Sequence, residues 1–129
     1  MINCTSFDYI NLLTKAADAS WKRETVISNN IANVNTPGYK RKDLNFQGVL
    51  TEELGRCKHE SLDSKVSDVD LSRLDPKIYV DSANYSYRMD GNNVDIDTEN
   101  VELASEQIRY EGLTDCINSE FERMKAVIS

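Results

Sequence analysis

The stretch TENVELASEQIRYEGLTDCINSEFERMKAVI, residues 98–128, repeats with a period of seven residues and decides the fold class. One row of large side chains recurs at every seventh position: Leu103, Tyr110, Ile117 and Met124. A second row follows each of these by four residues: Gln107, Thr114, Phe121 and Ile128. Two such rows are typical of a helix that pairs with another helix as a coiled coil. Two members of the second row are polar, which makes the seam weak on its own.

The start of this helix is acidic. Asp97 or Thr98 is the predicted N-cap, and Glu99 and Glu102 lie near the positive end of the helix dipole. Gly112 lies inside the helix, where glycine costs roughly 1 kcal/mol relative to alanine. Its presence suggests a close approach by another helix.

Residues 6–34 form the predicted partner helix. Apolar or small side chains recur in steps of three, four or seven: Phe7, Ile10, Leu13, Ala17, Ser20, Ile27, Ile31 and Val34. Arg23 and Glu24 interrupt this stripe. Pro37 and Gly38 end the helix, because proline disfavours α geometry before it and Pro-Gly suits the centre of a type II turn. The faces expected to bury against each other or against neighbouring subunits are Ile10, Leu13, Ile27, Ile31, Leu103, Tyr110, Ile117, Phe121 and Met124.

The middle of the chain differs in composition from its ends and contains four helix breakers: Gly48, Gly55, Pro76 and Gly91. A short helix is predicted from Leu44 to Leu54, and residues 56–75 are predicted to be a loop. Lys77 to Val80 and Tyr85 to Met89 are predicted short strands, followed by a turn at residues 90–93. The expected fold is mainly α, with long N- and C-terminal helices that pair as a coiled coil around a small irregular, β-containing insert. Its three zones are residues 1–35, 36–97 and 98–129.

The charge distribution excludes a nucleic-acid binder. The chain of 129 residues has a formal net charge of -7 and a pI near 4.7, whereas phosphate binding needs a basic face. Residues 1–42 carry 6 basic and 3 acidic side chains, while residues 98–129 carry 3 and 7. This opposite sign favours association of the two ends. No stretch has the roughly 20 apolar residues of a membrane span, and residues 1–15 lack the pattern of a cleaved signal peptide.

The inventory of chemically reactive residues predicts no catalytic, cofactor or metal site. The single histidine, His59, lies two residues from Cys57 in a polar segment, without an orienting third group. The three cysteines have no C-x-x-C spacing, and three cannot all pair within the chain. Residues 90–102 are rich in oxygen ligands but fail the calcium-loop pattern, because Gly at position 6 and Glu at position 12 are missing.

Residues 29–41, NNIANVNTPGYKR, are the most informative motif. Physically they are a helix end with amides that can bond free backbone groups, then a tight turn. The residues Asn30, Ile31, Ala32, Asn33, Thr36, Pro37, Gly38 and Tyr39 resemble the signature of flagellar rod and hook proteins. Residues 91–95 with Glu99, Leu103 and Tyr110, and the ending at residues 125–128, resemble the C-terminal helix of the proximal rod proteins. Asn100 departs from the methionine usual in that helix.

The resemblance implies a non-enzymatic structural subunit that is exported unfolded and polymerises into a hollow rod. Its implied place is the flagellar basal body, on the periplasmic side of the inner membrane, reached without a cleaved signal peptide. The implied partners are other copies, the rod proteins FlgC, FlgF and FlgG, the adaptor FliE, the membrane ring and the export gate. The interrupted stripes further predict that the terminal helices of the free chain are marginally stable.

Two alternatives remain at this point. One is the sibling proximal rod protein FlgC, although its Pro-, His- and Gly-Tyr-Val-containing segment before the last helix is absent here. The other is a soluble cytoplasmic helical adaptor or secretion chaperone, which would share the acidity and the long helices but has no reason to carry the motif of residues 29–41.

Overall fold

The structure, a computed structural model, describes residues 4–58, 61–81 and 89–128. Its elements in chain order are α1 (Cys4–Ala32), β1 (Lys42–Leu44), α2 (Phe46–Arg56), α3 (Leu62–Asp68), a 3-10 turn (Leu71–Arg73), β2 (Ile78–Val80) and α4 (Ile96–Ile128). The predicted class, two long terminal helices around a small β-containing insert, is confirmed. Residues 85–88 of the predicted second strand lie outside the described residues, and Met89 lies in a turn.

The helices α1 and α4 pack side by side in opposite directions. The hydroxyl of Ser20 donates to the carboxylate of Glu106 at 2.8 Å, and the amide of Asn30 donates to that of Glu99 at 3.2 Å. Moving forward along α1 therefore means moving backward along α4. Of the predicted α1 stripe, Ile10, Ala17, Ser20 and Ile27 are buried and Leu13, Ile31 and Val34 are half-buried, whereas Phe7 is 45% exposed.

The single chain covers one of the two predicted α4 rows against α1, and burial of the other row against neighbouring subunits stays a prediction. Leu103, Tyr110, Ile117 and Met124 are half-buried, but the row that accompanies them is Glu99, Glu106, Leu113 and Glu120. In the second predicted row, Thr114 is half-buried, but Gln107 is exposed, Phe121 is 51% exposed and Ile128 is 70% exposed. Counting apolar residues did not find the row that faces α1, because three of its four members are acids, two of which Arg23 and Arg41 neutralise.

The insert lies against α1. The strands β1 and β2 pair antiparallel, with Lys42 opposite Val80 and Leu44 opposite Ile78. The predicted helix at residues 44–54 is found two residues later, as α2, whose cap Asn45 accepts the backbone N–H of Gly48 at 2.9 Å.

The prediction of a loop at residues 56–75 is wrong within the described part of the chain. Helix α3 forms there, with the Ser61 hydroxyl accepting the backbone N–H of Ser64 at 3.3 Å. Val66 and Leu74 are buried, at 5% and 1% exposure. A helix of seven residues that buries one valine is too short to show a periodic pattern, and its stability comes from packing on α1.

The start of α4 also differs from prediction. The helix begins at Ile96, and Asp95 rather than Asp97 or Thr98 is the cap. One carboxylate oxygen of Asp95 accepts the backbone N–H of Asp97 at 3.1 Å, and the other accepts the Thr98 hydroxyl at 3.0 Å. Side-chain oxygens at this position satisfy donors that the first helical turn leaves free.

Candidate functional site

The end of α1 and the turn before α4 meet at one place, which we call the junction (residues 30–41 and 90–95). The side-chain amide of Asn92 donates to three carbonyl oxygens, those of Asn33 at 2.9 Å, Val34 at 3.0 Å and Thr36 at 2.9 Å. All three carbonyls belong to the turn that follows α1, whose last residue is Ala32. Asn92, which is fully buried, therefore holds this turn in place from 56 to 59 residues away in sequence.

Each of the two turns contains a glycine with left-handed backbone geometry. Gly38 has a φ of 72°, the geometry of the predicted type II turn, and the Tyr39 N–H reaches the Thr36 carbonyl at 3.3 Å. Gly91 has a φ of 78°, and a Cβ on it would lie 3.6 Å from the Cα of Gly38. The Gly38 N–H also donates to the carbonyl of Asp90 at 2.6 Å. Left-handed φ values favour glycine at both positions.

Asn30 connects four parts of the junction and is fully buried. Its amide nitrogen donates to the carbonyl of Lys42 at 2.7 Å and to Glu99 at 3.2 Å. Its amide oxygen accepts the Lys42 N–H at 3.0 Å and the Tyr39 hydroxyl at 3.1 Å. One side chain thereby ties α1 to β1, to the turn and to α4.

Seven charged residues form an ion network beneath the junction: Arg23, Arg41, Asp43, Asp81, Glu99, Glu102 and Glu106. Arg23 on α1 donates to Asp43 at 2.9 Å, Glu106 at 2.7 Å and Glu102 at 2.9 Å. Arg41 pairs with Glu99 and reaches Asp81 at 2.9 Å and Asp43 at 3.0 Å. Each arginine thus joins the insert to α4 through hydrogen-bonded ion pairs.

The electrostatics of Asp43 show how the ion network is balanced. Burial raises the pKa of Asp43. The hydrogen bonds from Arg23 and from the backbone N–H of Leu44, together with the charges of Arg23 and Arg41, lower this pKa by more than burial raises it. The net pKa of Asp43 therefore lies below its ordinary value. The hydrogen bond from Arg23 to Asp43 raises the pKa of Arg23, so both groups stay charged.

Glu24 is an uncompensated acid on the inner side of α1. Its Oε1 is buried without a hydrogen-bond partner in the described part of the chain. Desolvation, followed by the charges of Glu106 and Glu111, raises the pKa of Glu24. A charged carboxylate that lacks a partner destabilises the packing of α1 against α4 at neutral pH.

The structure separates the signature residues into two groups. Asn30, Asn33, Thr36, Gly38 and Tyr39 make contacts within the junction. Ile31 is half-buried on the inner stripe, whereas Ala32 and Pro37 are exposed. Sequence reasoning missed the roles of Arg23, Arg41, Asp43 and Asn92. The nearest signal was the interruption of the apolar stripe at Arg23.

The described residues offer little for chemistry. Among them, no three His, Cys, Asp or Glu side chains are grouped so that they could hold a metal ion. His59 lies outside the described residues, and the Cys57 thiol lies near the carbonyls of Glu53 at 3.5 Å and Lys65 at 3.6 Å. No described helix has the length and apolar character that a membrane span requires.

Comparisons with known proteins identify the family. The profile described as "Flagella basal body rod protein" matches residues 13–40. The flagellar basal body rod protein FlgB of Bacillus subtilis (strain 168) is 41% identical over 108 residues, covering 83% of this chain and 82% of that protein. The FlgB of Proteus mirabilis (strain HI4320) is 32% identical, covering 83% of each chain. The FlgC and adaptor alternatives are not favoured, and this chain belongs to the FlgB family of flagellar basal body rod proteins, the structural subunits of the rod.

Proposed function

We propose that this chain builds the proximal part of the rod, polymerising into a hollow drive shaft that serves motility and export. The observation that carries this proposal concerns the α1–α4 helix pair. Large apolar residues on its outer sides are exposed: Phe7, Trp21, Val101, Ile108 and Phe121. Exposed apolar faces of this kind mark interaction surfaces. A small subunit that lacks core gains stability by burying them between copies.

The junction gives this role a mechanical basis. It fixes the ends of the two long helices to each other and to the insert through the amides of Asn30 and Asn92. In the proposal, residues 1–35 and 98–129 are the axial helices, and residues 36–97 are the turn and insert that they carry. Torque passes between the helices without bending the joint, and no catalytic step or cofactor is needed.

The proposal also fixes partners and place. The partners are other copies of this chain, FlgC, FlgF and FlgG, the adaptor FliE, the membrane ring and the export gate. The place is the basal body on the periplasmic side of the inner membrane, reached from the cytoplasm without a cleaved signal peptide. The family membership supports assembly with flagellar components in general, and the exposed faces support direct contact between subunits.

The test uses cells that lack this protein and are complemented with variants. Ile117→Asp places a charge on the half-buried face of α4, while Asn118→Asp changes an exposed neighbour. Burying the new carboxylate is expected to cost a few kcal/mol, discounted for partial exposure. Rods and swimming should be lost with Ile117→Asp and kept with Asn118→Asp. Cells that build rods without any copy of this chain would refute the proposed function.

A further inference from the structure

One acid on the inner side of α1 faces α4 without a partner. Glu24 lies four residues after Ser20 and three before Ile27, so it shares a helix face with these two buried residues. The Ser20 hydroxyl contacts Glu106 of α4 at 2.8 Å, which shows that this face is turned toward α4. The Oε1 atom of Glu24 is shielded from solvent and accepts no hydrogen bond from the described part of the chain. Packing of the two helices thus leaves an acceptor without a donor, which is unfavourable.

The cations next to Glu24 on α1 are engaged by other acids. Lys22 lies 3.9 Å from Asp75, and Arg23 donates to Asp43 at 2.9 Å and to acids of α4. Asp75 and Asp43 both belong to the insert between the two long helices. The insert therefore draws the neighbouring positive charges of α1 toward itself, and they do not neutralise Glu24.

The charges that act on Glu24 from α4 are also negative, those of Glu106 and Glu111. Glu106 is 2% exposed, and Arg23 and Arg109 donate to it at 2.7 Å and 3.2 Å, which offsets part of its charge. Glu111 is exposed, so water and salt screen its charge in part. Both acids, together with the desolvation of Glu24 itself, disfavour the ionised form of this carboxyl.

We propose that Glu24 is a proton-sensitive switch in the α1–α4 interface. At neutral pH its ionised carboxylate opposes close packing of the two helices. After protonation the group carries no charge, and its hydroxyl becomes a donor in an interface rich in carboxylates. The switch is contained in the single chain and needs no neighbouring subunit, so it goes beyond the proposed function and does not depend on it.

The direction of the pH effect follows from the pKa of Glu24, which packing raises above the ordinary value of 4.5. For an acid of this kind the loss of stability is fully present above the folded pKa, and it disappears as pH falls toward the unfolded pKa. Mild acidification should therefore strengthen the packing of α1 against α4. Asp43 acts in the opposite direction and at lower pH, because its pKa lies below 3.8.

The first test measures urea midpoints of the purified full chain between pH 7.5 and 4.5. Glu24→Gln keeps the shape of the side chain and removes its charge, so its midpoint at neutral pH should exceed that of the wild type by about 0.3 M. This difference should shrink toward zero as pH falls to 4.5. Asp18→Asn is the matched control, because it removes one exposed negative charge from the same helix. Its difference from the wild type should be small and constant over this range. A constant difference for Glu24→Gln, or none at neutral pH, would overturn the switch.

The second test observes the carboxyl group itself in the wild-type chain, so it does not depend on the folding of Glu24→Gln. In a carbon-13 NMR titration, the Glu24 carboxyl should titrate at higher pH than the exposed glutamates. Glu111→Gln should move the Glu24 titration to lower pH, because it removes one of the two acids that act on Glu24 from α4. If Glu24 titrates together with the exposed glutamates, the proposed switch is wrong.

Discussion

Asn92 donates its side-chain amide to the main-chain carbonyl of Val34 over 3.0 Å, joining the turn before α4 to the end of α1. The same amide also donates to the carbonyls of Asn33 and Thr36, so a single side chain holds the turn that follows α1. The two conspicuous sequence motifs are therefore halves of one structure, each incomplete without the other.

Replacing this amide by a carboxylate should break the joint. Asn92→Asp removes both donors and points negative charge at three carbonyl oxygens in a buried site. We expect a loss of about 2–4 kcal/mol in the free energy of unfolding, measured by urea titration. Asn100→Asp is the control, because Asn100 is exposed in the first turns of α4 and an acid there is tolerated. Equal unfolding midpoints for the two variants would contradict this role of Asn92.

Replacing Arg23 should cost far more folding stability than replacing an exposed arginine of the same α1–α4 helix pair. Arg23→Leu leaves the buried carboxylates of Asp43 and Glu106 without their main cation, which costs about 3–5 kcal/mol in comparable buried pairs. Arg123→Leu removes an arginine whose side chain is 76% exposed and which pairs with Glu120. Its effect should stay below about 1 kcal/mol. Chemical denaturation of both variants measures the loss in the free energy of unfolding. Similar losses for the two variants would show that the ion network adds no stability.

The sequence predicted the stripe on α1 and one row on α4, because apolar periodicity reports helix faces directly. The other row stayed hidden, since Glu99 and Glu106 look like surface residues until Arg41 and Arg23 are brought beside them by long-range folding. The signature predicted a family and a turn, but not that Asn92 would cap it. Contacts across 56 or more residues leave no periodic trace in one sequence.

The acid dependence of stability should include a contribution from Asp43. Its pKa in the folded chain lies below the ordinary 3.8, so the ionised form favours folding. This stabilisation is present above the unfolded pKa and is lost as pH falls through the folded value. Between pH 5 and about 2 the wild-type chain should lose more stability than Asp43→Asn. Urea midpoints of both proteins, measured across this pH interval, test the sign of this effect. If the two midpoints fell in parallel with pH, Asp43 would not contribute to the acid dependence.

Substitutions at Gly38 should lower stability to an extent that depends on how readily the new residue adopts left-handed backbone geometry. At a φ of 72°, valine is strained by about 1–3 kcal/mol, whereas asparagine adopts this region more readily. No atom of the described chain lies within 4 Å of a Cβ at this position, so backbone strain rather than a clash sets the cost. Thermal unfolding should rank wild type above Gly38→Asn and Gly38→Val lowest. An equal cost for asparagine and valine would mean that φ is not the determinant.

The free chain should protect its amides from hydrogen exchange in a graded way. The sequence predicts rapid exchange over roughly residues 1–34 and 98–129, since each stripe is interrupted and helical stability depends on packing. The buried junction adds a gradient, because Ile27, Asn30 and Glu99 are fully buried whereas most of residues 118–128 are exposed.

Exchange in the isolated chain should therefore be fastest toward residue 128 of α4 and toward the start of α1, and slowest beside the junction. The uncompensated Glu24 lies between these regions and lowers the stability of the packed hairpin. In purified rods the same ends should become protected, since neighbouring subunits then cover the exposed faces and binding orders the chain. Mass spectrometry of peptides from the free chain and from rods measures both states. Uniformly strong protection of both helices in the free chain would mean that assembly is not needed to order them, and the coupling of folding to assembly would be wrong.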